Sequence, residues 1–180
     1  MLAFNFMNAF LSPEKIIKSL RLKKDAIAAD FGSGAGGWAI PLAKKLEDGR
    51  VYAIDILQEP LSALKSKANL EGIDNIQAIV ADVEEEQGST LDDDSIDFVL
   101  VSNILFQAEE AERVLKEAKR VLRKKGLLLI VDWTKDSPFG PQEGKVSQEK
   151  VKETAKKLGL GLKEELDAGE HHYALLFEKI

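Results

Sequence analysis

The chain of 180 residues contains no cysteine. That absence excludes a disulfide framework, a thiolate zinc site and a cysteine nucleophile, and it fits a reducing cytoplasm. Histidine is nearly missing as well, with only His171 and His172, which are adjacent. Neighbours along a strand point to opposite faces, so these two cannot readily share one ion and no metal site is expected. Positive charge is not in excess: the net charge is −6, and lysines are spread along the same helices as glutamates. No basic face is therefore offered to a phosphate backbone, and no nucleic acid is expected as a partner. Long apolar runs are absent too. Met1–Leu11 carries Phe4, Phe6 and Phe10 but lacks the positive start and the length of a signal peptide or membrane span, so no stable membrane insertion is expected.

What is present suffices for a packed core, since hydrophobic residues make up 44% of the chain. One domain over residues 1–180 is expected, with residues 1–22 forming an N-terminal segment and helix that packs on it or covers a pocket. Apolar runs at Ile27–Phe31, Val51–Ile54, Ile76–Val80, Ile96–Val101 and Leu127–Trp133 read as strands buried on both faces, hence a parallel sheet. Between them, Trp38–Leu46, Pro60–Leu70 and Ala108–Leu122 have the helical period and the length of crossover helices. Ser12-Pro13-Glu14 opens a further helix, with Ser12 as capping hydroxyl, ending near Leu20. Pro138, Gly140, Pro141 and Gly144 make Thr134–Val146 a surface loop. A helix from Ser147 to Leu158 follows, then a strand over Leu160–Leu166, a turn at Asp167–Glu170 and a last strand over Tyr173–Phe177. So short a turn permits only antiparallel pairing of the last two strands.

The first strand runs into Asp30-Phe31-Gly32-Ser33-Gly34-Ala35-Gly36-Gly37. Glycines here let the backbone turn sharply and approach a ligand, while the following helix presents free amides. A nucleotide-like ligand fits better than a bare turn. Gly32, Gly34 and Gly37 also satisfy the dinucleotide fingerprint, and Asp55, roughly 20 residues on, suits the ribose of either NAD or S-adenosylmethionine. Two more acids separate these readings. Asp30 would be a poor neighbour for a pyrophosphate and a good one for the ammonium of a methionine moiety. Asp82 ends the third strand, where an acceptor can meet the exocyclic amine of adenine.

With these residues the sequence resembles the class I S-adenosylmethionine-dependent methyltransferases, especially the small-molecule group that includes ubiquinone and menaquinone biosynthesis enzymes. The resemblance spans nearly the whole chain. The family's acid-x-Gly-x-Gly-x-Gly signature stands as Asp30, Gly32, Gly34 and Gly36, followed by Asp55 and by Asp82-Val83. Asp97–Leu105 is similar to the family's fourth-strand motif. The resemblance implies a Rossmann-like α/β fold, a parallel sheet with a C-terminal antiparallel hairpin strand and helices on both faces. It also implies Ser33 in the cofactor loop, Ile56 packed on adenine and Asn103 near the sulfonium. Two departures stand out. Lys124-Lys125-Gly126-Leu127 replaces a common Lys-Pro-Gly-Gly turn, and Phe106-Gln107 stands where many relatives carry a histidine, so no base is expected there.

Ligands of open parallel sheets bind outside the carboxyl ends of the strands, which places Asn103, Asp132 and Trp133 on the cofactor edge. If the Leu160 strand runs parallel to the others, the final strand begins on that edge and brings His171, His172 and Tyr173 there. Methyl transfer from a sulfonium needs orientation, desolvation and sometimes a base. His171, His172 and Asp132 are the candidates for that base, the alternative being two hydrogen-bonded turn histidines without a catalytic role. Trp133 would form a pocket wall, or else core, and the Phe139 loop with the aromatic N-terminus a cover, or else ordinary surface. The lack of cysteine argues against thiol-dependent arsenite methylation.

The expected function is thus S-adenosyl-L-methionine-dependent methyl transfer to a small-molecule acceptor, releasing S-adenosyl-L-homocysteine, by a cytoplasmic monomer or homodimer. A non-catalytic S-adenosylmethionine-binding protein and an NAD-binding oxidoreductase are the alternatives.

Overall fold

The structure, a computed structural model, describes residues 11–180. The expected aromatic cover over Met1–Phe10 lies outside the described residues. Among the described residues, seven strands form one sheet: β1 (Ile27–Phe31), β2 (Arg50–Asp55), β3 (Ile76–Val80), β4 (Ile96–Ser102), β5 (Leu122–Trp133), β6 (Leu160–Leu166) and β7 (His172–Lys179). The order is β3-β2-β1-β4-β5-β7-β6. β1 to β5 pair in parallel, whereas β7 is antiparallel to both β5 and β6. β6 therefore runs with β1 to β5, and β7 starts on the edge where they end.

Two helical layers cover the sheet. α1 (Pro13–Ser19), α2 (Ala39–Lys45) and α3 (Gln58–Leu70) bury Ile17, Leu42, Leu61 and Leu64 against Ala28, Val51, Phe98 and Leu100. On the other face, α4 (Ala111–Val121) and α5 (Gln148–Lys157) set Val114, Ala118, Val121, Val151 and Ala155 against Phe31, Val99, Val101 and Leu128. Alternate residues of β4 thus enter opposite cores, as the two-residue period of a strand requires. Among the described residues, no helix is long and apolar enough to cross a membrane.

Three local expectations change. β3 is not buried on both faces: it pairs with β2 alone, at the sheet edge, and Val80 is exposed. β5 begins at Leu122 rather than Leu127, because Leu122 pairs with Ile96 before a register shift and Lys125 turns at φ 66°. The Ser12 hydroxyl makes no capping bond; its carbonyl accepts the Ile16 amide at 3.2 Å, and Pro13 opens the helix.

Candidate functional site

Strand order reverses between β1 and β4, which opens a crevice at their carboxyl ends. The loop after β1 occupies one side. Gly32 and Ser33 both donate their amides to the Ile54 carbonyl, at 2.8 and 3.0 Å, and the Gly36 amide closes a turn on the Ser33 carbonyl at 3.0 Å. Gly32, Gly34 and Gly36 all have φ between 52° and 88°, the left-handed region that favours glycine, whereas Gly37 does not. The glycines demanded by the backbone are thus those of the Gly-x-Gly-x-Gly signature, and not the third of the dinucleotide fingerprint. A Cβ on Gly32 would collide with Ile104 Cγ2, so the loops after β1 and β4 meet here. Gly34 faces open space.

Asp30 is buried at the end of β1 with neither carboxylate oxygen hydrogen-bonded. Burial, reinforced by the nearby Asp55 charge, pushes its carboxyl up to about 8. The Ala39 amide offsets part of this without closing a hydrogen bond. Ser33 Oγ and Asn103 Oδ1 are likewise buried without a partner. Asn103 adopts φ 54°, and its amide donates to the Val131 carbonyl at 2.9 Å, which fixes it at the crevice wall. Buried polar atoms without partners are rare in proteins, so three such side chains on one crevice mark a place for a polar ligand.

Asp55, at the tip of β2, accepts the Gly34 amide at 2.9 Å on one oxygen and the Leu57 amide at 3.0 Å on the other. Each oxygen keeps a further lone pair. Beside it Ile56 is 61% exposed, an apolar side chain with no core to enter. Asp82 is exposed past β3 and accepts the Glu84 amide at 2.9 Å, while Val83 is buried beneath it. The predicted cofactor residues therefore share one edge of the sheet, some on the glycine-loop side and the rest on the β2–β3 side.

The second group lies across β5 and β7. His172 pairs with Trp133, their rings 4.0 Å apart, and both imidazole nitrogens are buried without a partner. Burial, with the neighbouring His171 adding to it, pushes the His172 imidazole down to about 4, so the ring is neutral at pH 7. His171 meets the ring edge of Phe139 at 4.7 Å, and its carbonyl accepts the Thr134 amide at 2.9 Å. The loop over residues 134–146 lies down on Trp133: a Cβ on Gly140, at φ 79°, would collide with the indole. Asp132 differs from both histidines. It is fully buried, and its oxygens accept the Leu105 amide at 3.0 Å and the Trp133 amide at 2.8 Å. Burial raises its carboxyl to about 6, with the two amides pulling the other way. Both amides stabilise the ionised carboxylate and tie it to the turn after β4 and to its own strand.

Sequence reasoning missed one buried cluster. Glu117, on α4, accepts the Ser89 amide at 2.9 Å, the Ser89 hydroxyl and Arg120 Nη2 at 2.7 Å, while Arg120 also pairs with Asp93. The signal was available, because Glu117 sits three residues after Val114 and four before Val121, on the apolar face of its helix. Among the described residues there is no group of three or more His, Cys, Asp or Glu side chains arranged to hold a metal ion.

A family model described as a methyltransferase domain matches residues 22–175. The demethylmenaquinone methyltransferase of Geobacillus kaustophilus is 26% identical over 128 residues, which are 71% of this chain and 53% of that protein. The ubiquinone/menaquinone biosynthesis C-methyltransferase of Rickettsia prowazekii is 34% identical over 111 residues, 59% of this chain and 44% of that protein. The chain spans about half the length of the curated relatives it matches. The crystal structure of a SAM dependent methyltransferase from Aquifex aeolicus superposes with a TM-score of 0.84 at 26% identity, covering 96% of this chain and 92% of that one.

Proposed function

The chain belongs to the methyltransferase domain family, and on that premise we propose that it binds S-adenosylmethionine in the β1–β4 crevice and methylates a small-molecule acceptor. The observation that carries this reading is the convergence of unpartnered buried polar atoms, on Asp30, Ser33 and Asn103, around a loop whose glycines leave open space at Gly34. When bound, the cofactor supplies a methyl group already activated on a sulfonium.

Each residue then has a role set by its surroundings. Asp30 neutralises the ammonium of the methionine end and gives up its own proton on binding, since its carboxyl is otherwise held near 8. Ser33 and Asn103 supply polar contacts on the same side. Asp55 directs its free lone pairs at the ribose hydroxyls, Ile56 covers a face of adenine, and Asp82 with Val83 bounds its amine edge. His172, neutral and unpartnered, offers the acceptor one donor and one hydrogen-bond acceptor nitrogen. His171 and Phe139 line the rim. The aromatic rings of Trp133, His172 and Phe139 favour a planar acceptor, in keeping with the quinone chemistry named for the relatives.

The reading is tested by titrating S-adenosylhomocysteine and NAD into the purified protein by calorimetry, with Asp55→Ala alongside. We expect uptake of S-adenosylhomocysteine, weakened at least about tenfold by loss of the ribose contacts. Tighter binding of NAD, or an Asp55→Ala affinity equal to wild type, would overturn the assignment. Binding without transfer to any of a panel of phenolic, enolic and amine acceptors would leave a binding protein and remove the enzyme.

A further inference from the structure

Asp132 is the one buried carboxylate on the cofactor edge whose oxygens are both engaged, and one of its partners lies far away in sequence. The Leu105 amide that it accepts at 3.0 Å belongs to the turn after β4. The same turn is held by the Asn103 amide on the Val131 carbonyl at 2.9 Å, so β5 grips it at two successive residues. Between these anchors stand Asn103, with its unpartnered Oδ1, and Ile104, against which Gly32 packs so closely that no Cβ would fit. Gln107 and Ala108 then fold back on the Ile104 carbonyl, both at 3.1 Å. We propose that Asp132 is a positioning residue for the cofactor: through the Leu105 amide it holds the Asn103–Ile104 wall against the glycine loop and takes no proton from the acceptor.

This rests on the S-adenosylmethionine-binding reading of the crevice, but it assigns Asp132 a different task from the base that its location suggests. A carboxylate accepting from two amides stabilises that geometry while ionised, and protonation weakens both bonds. The wall should therefore loosen as the pH falls through about 6, the value to which burial raises this group. Tyr173 faces Asp132 from β7, but its hydroxyl donates to the Val146 carbonyl at 3.0 Å and is raised far above neutrality by burial and by the Asp132 charge. Glu149, on α5, adds to that shift of Tyr173. His171 and His172 precede Tyr173 at the same edge of the sheet, with His172 on the opposite face of β7 from Tyr173; His172 stays neutral above about 4.

The test is Asp132→Asn, whose amide nitrogen would turn a donor toward one of the two backbone donors. Calorimetry should show S-adenosylhomocysteine binding weakened about tenfold or more, as expected for one lost charge-assisted bond. Affinity falls in both proteins below about pH 8, where Asp30 must release its proton to bind; below about pH 6 the wild type should fall more steeply, and the variant should lack that second limb. A general base would behave oppositely, with affinity unchanged and turnover at saturating cofactor falling about a hundredfold or more. Unchanged affinity in a folded variant overturns the proposal. Should the variant not fold, the wild-type protein still decides: the Leu105 and Trp133 amide resonances must titrate together, and independent or flat profiles reject the latch. Failure of wild-type protein to bind S-adenosylhomocysteine at all would instead sink the underlying cofactor reading, while leaving the joint titration of the two amides intact.

Discussion

Asp30 and Glu117 are both buried carboxylates, 1% and 5% exposed, yet they have opposite surroundings. Asp30 has no hydrogen-bond partner, and burial with the Asp55 charge lifts its carboxyl to about 8. Burial pushes Glu117 up as well, but the Arg120 guanidinium and the Ser89 hydroxyl and amide outweigh it and hold the group below the usual carboxylate range. The difference separates scaffold from site. A paired buried carboxylate ties α4 to the chain leading into β4, whereas an unpaired one is costly when ionised, a cost that a bound cation would relieve.

The comparison breaks most visibly at Glu117. Replacing it by alanine leaves Arg120 and Ser89 without their main partner, and urea unfolding should show a loss of about 4 kcal/mol. A loss below about 1 kcal/mol would mean that the cluster is not a structural tie.

Asp30→Asn should act in the other direction. A folded value raised above the unfolded 3.8 means that the folded state holds its proton longer, so wild-type stability is fullest below about 4 and falls as pH rises to about 8. Between pH 5 and 8 the ligand-free wild type should lose about 3 kcal/mol more than Asp30→Asn, measured by urea melts at both pH values. The same variant should bind S-adenosylhomocysteine poorly. Parallel pH profiles for the two proteins would show that Asp30 ionises freely and stores nothing.

The smallest effect is expected at His172, also buried but neutral. Its folded value of about 4 lies below the unfolded 6.5, so its contribution is present above pH 6.5 and is lost as pH falls through about 4. His172→Phe, which keeps a ring against Trp133, should be less sensitive to acid by about 2 kcal/mol between pH 7 and 4 in thermal or urea melts. Equal acid sensitivity would place the wild-type imidazole in contact with water.

Strand limits were legible where the apolar pattern itself stops. β1 and β6 keep the bounds of their patterns, and β4 gains only Ser102. The apolar pattern starts β5 too late because Arg123, Lys124 and Lys125 carry no apolar signal, and the pairing of Leu122 with Ile96 that begins the strand is a long-range contact. The exposure of β3 is not legible in its apolar run, which does not reveal which strand will lie at the edge.

Composition and order along the chain determined the α/β architecture, the glycine loop and the acids at the strand tips, because each of these is a local pattern of side-chain type and spacing. Only the tertiary structure decided which acids are free to meet a ligand. Asp30 and Asp132 sit in apolar strand runs and Glu117 on the apolar face of a helix, and hydrogen bonds from amides and side chains as distant as Leu105 and Ser89 make them different. Partners brought together by folding fix the energy of a buried charge, and no local window of sequence contains them.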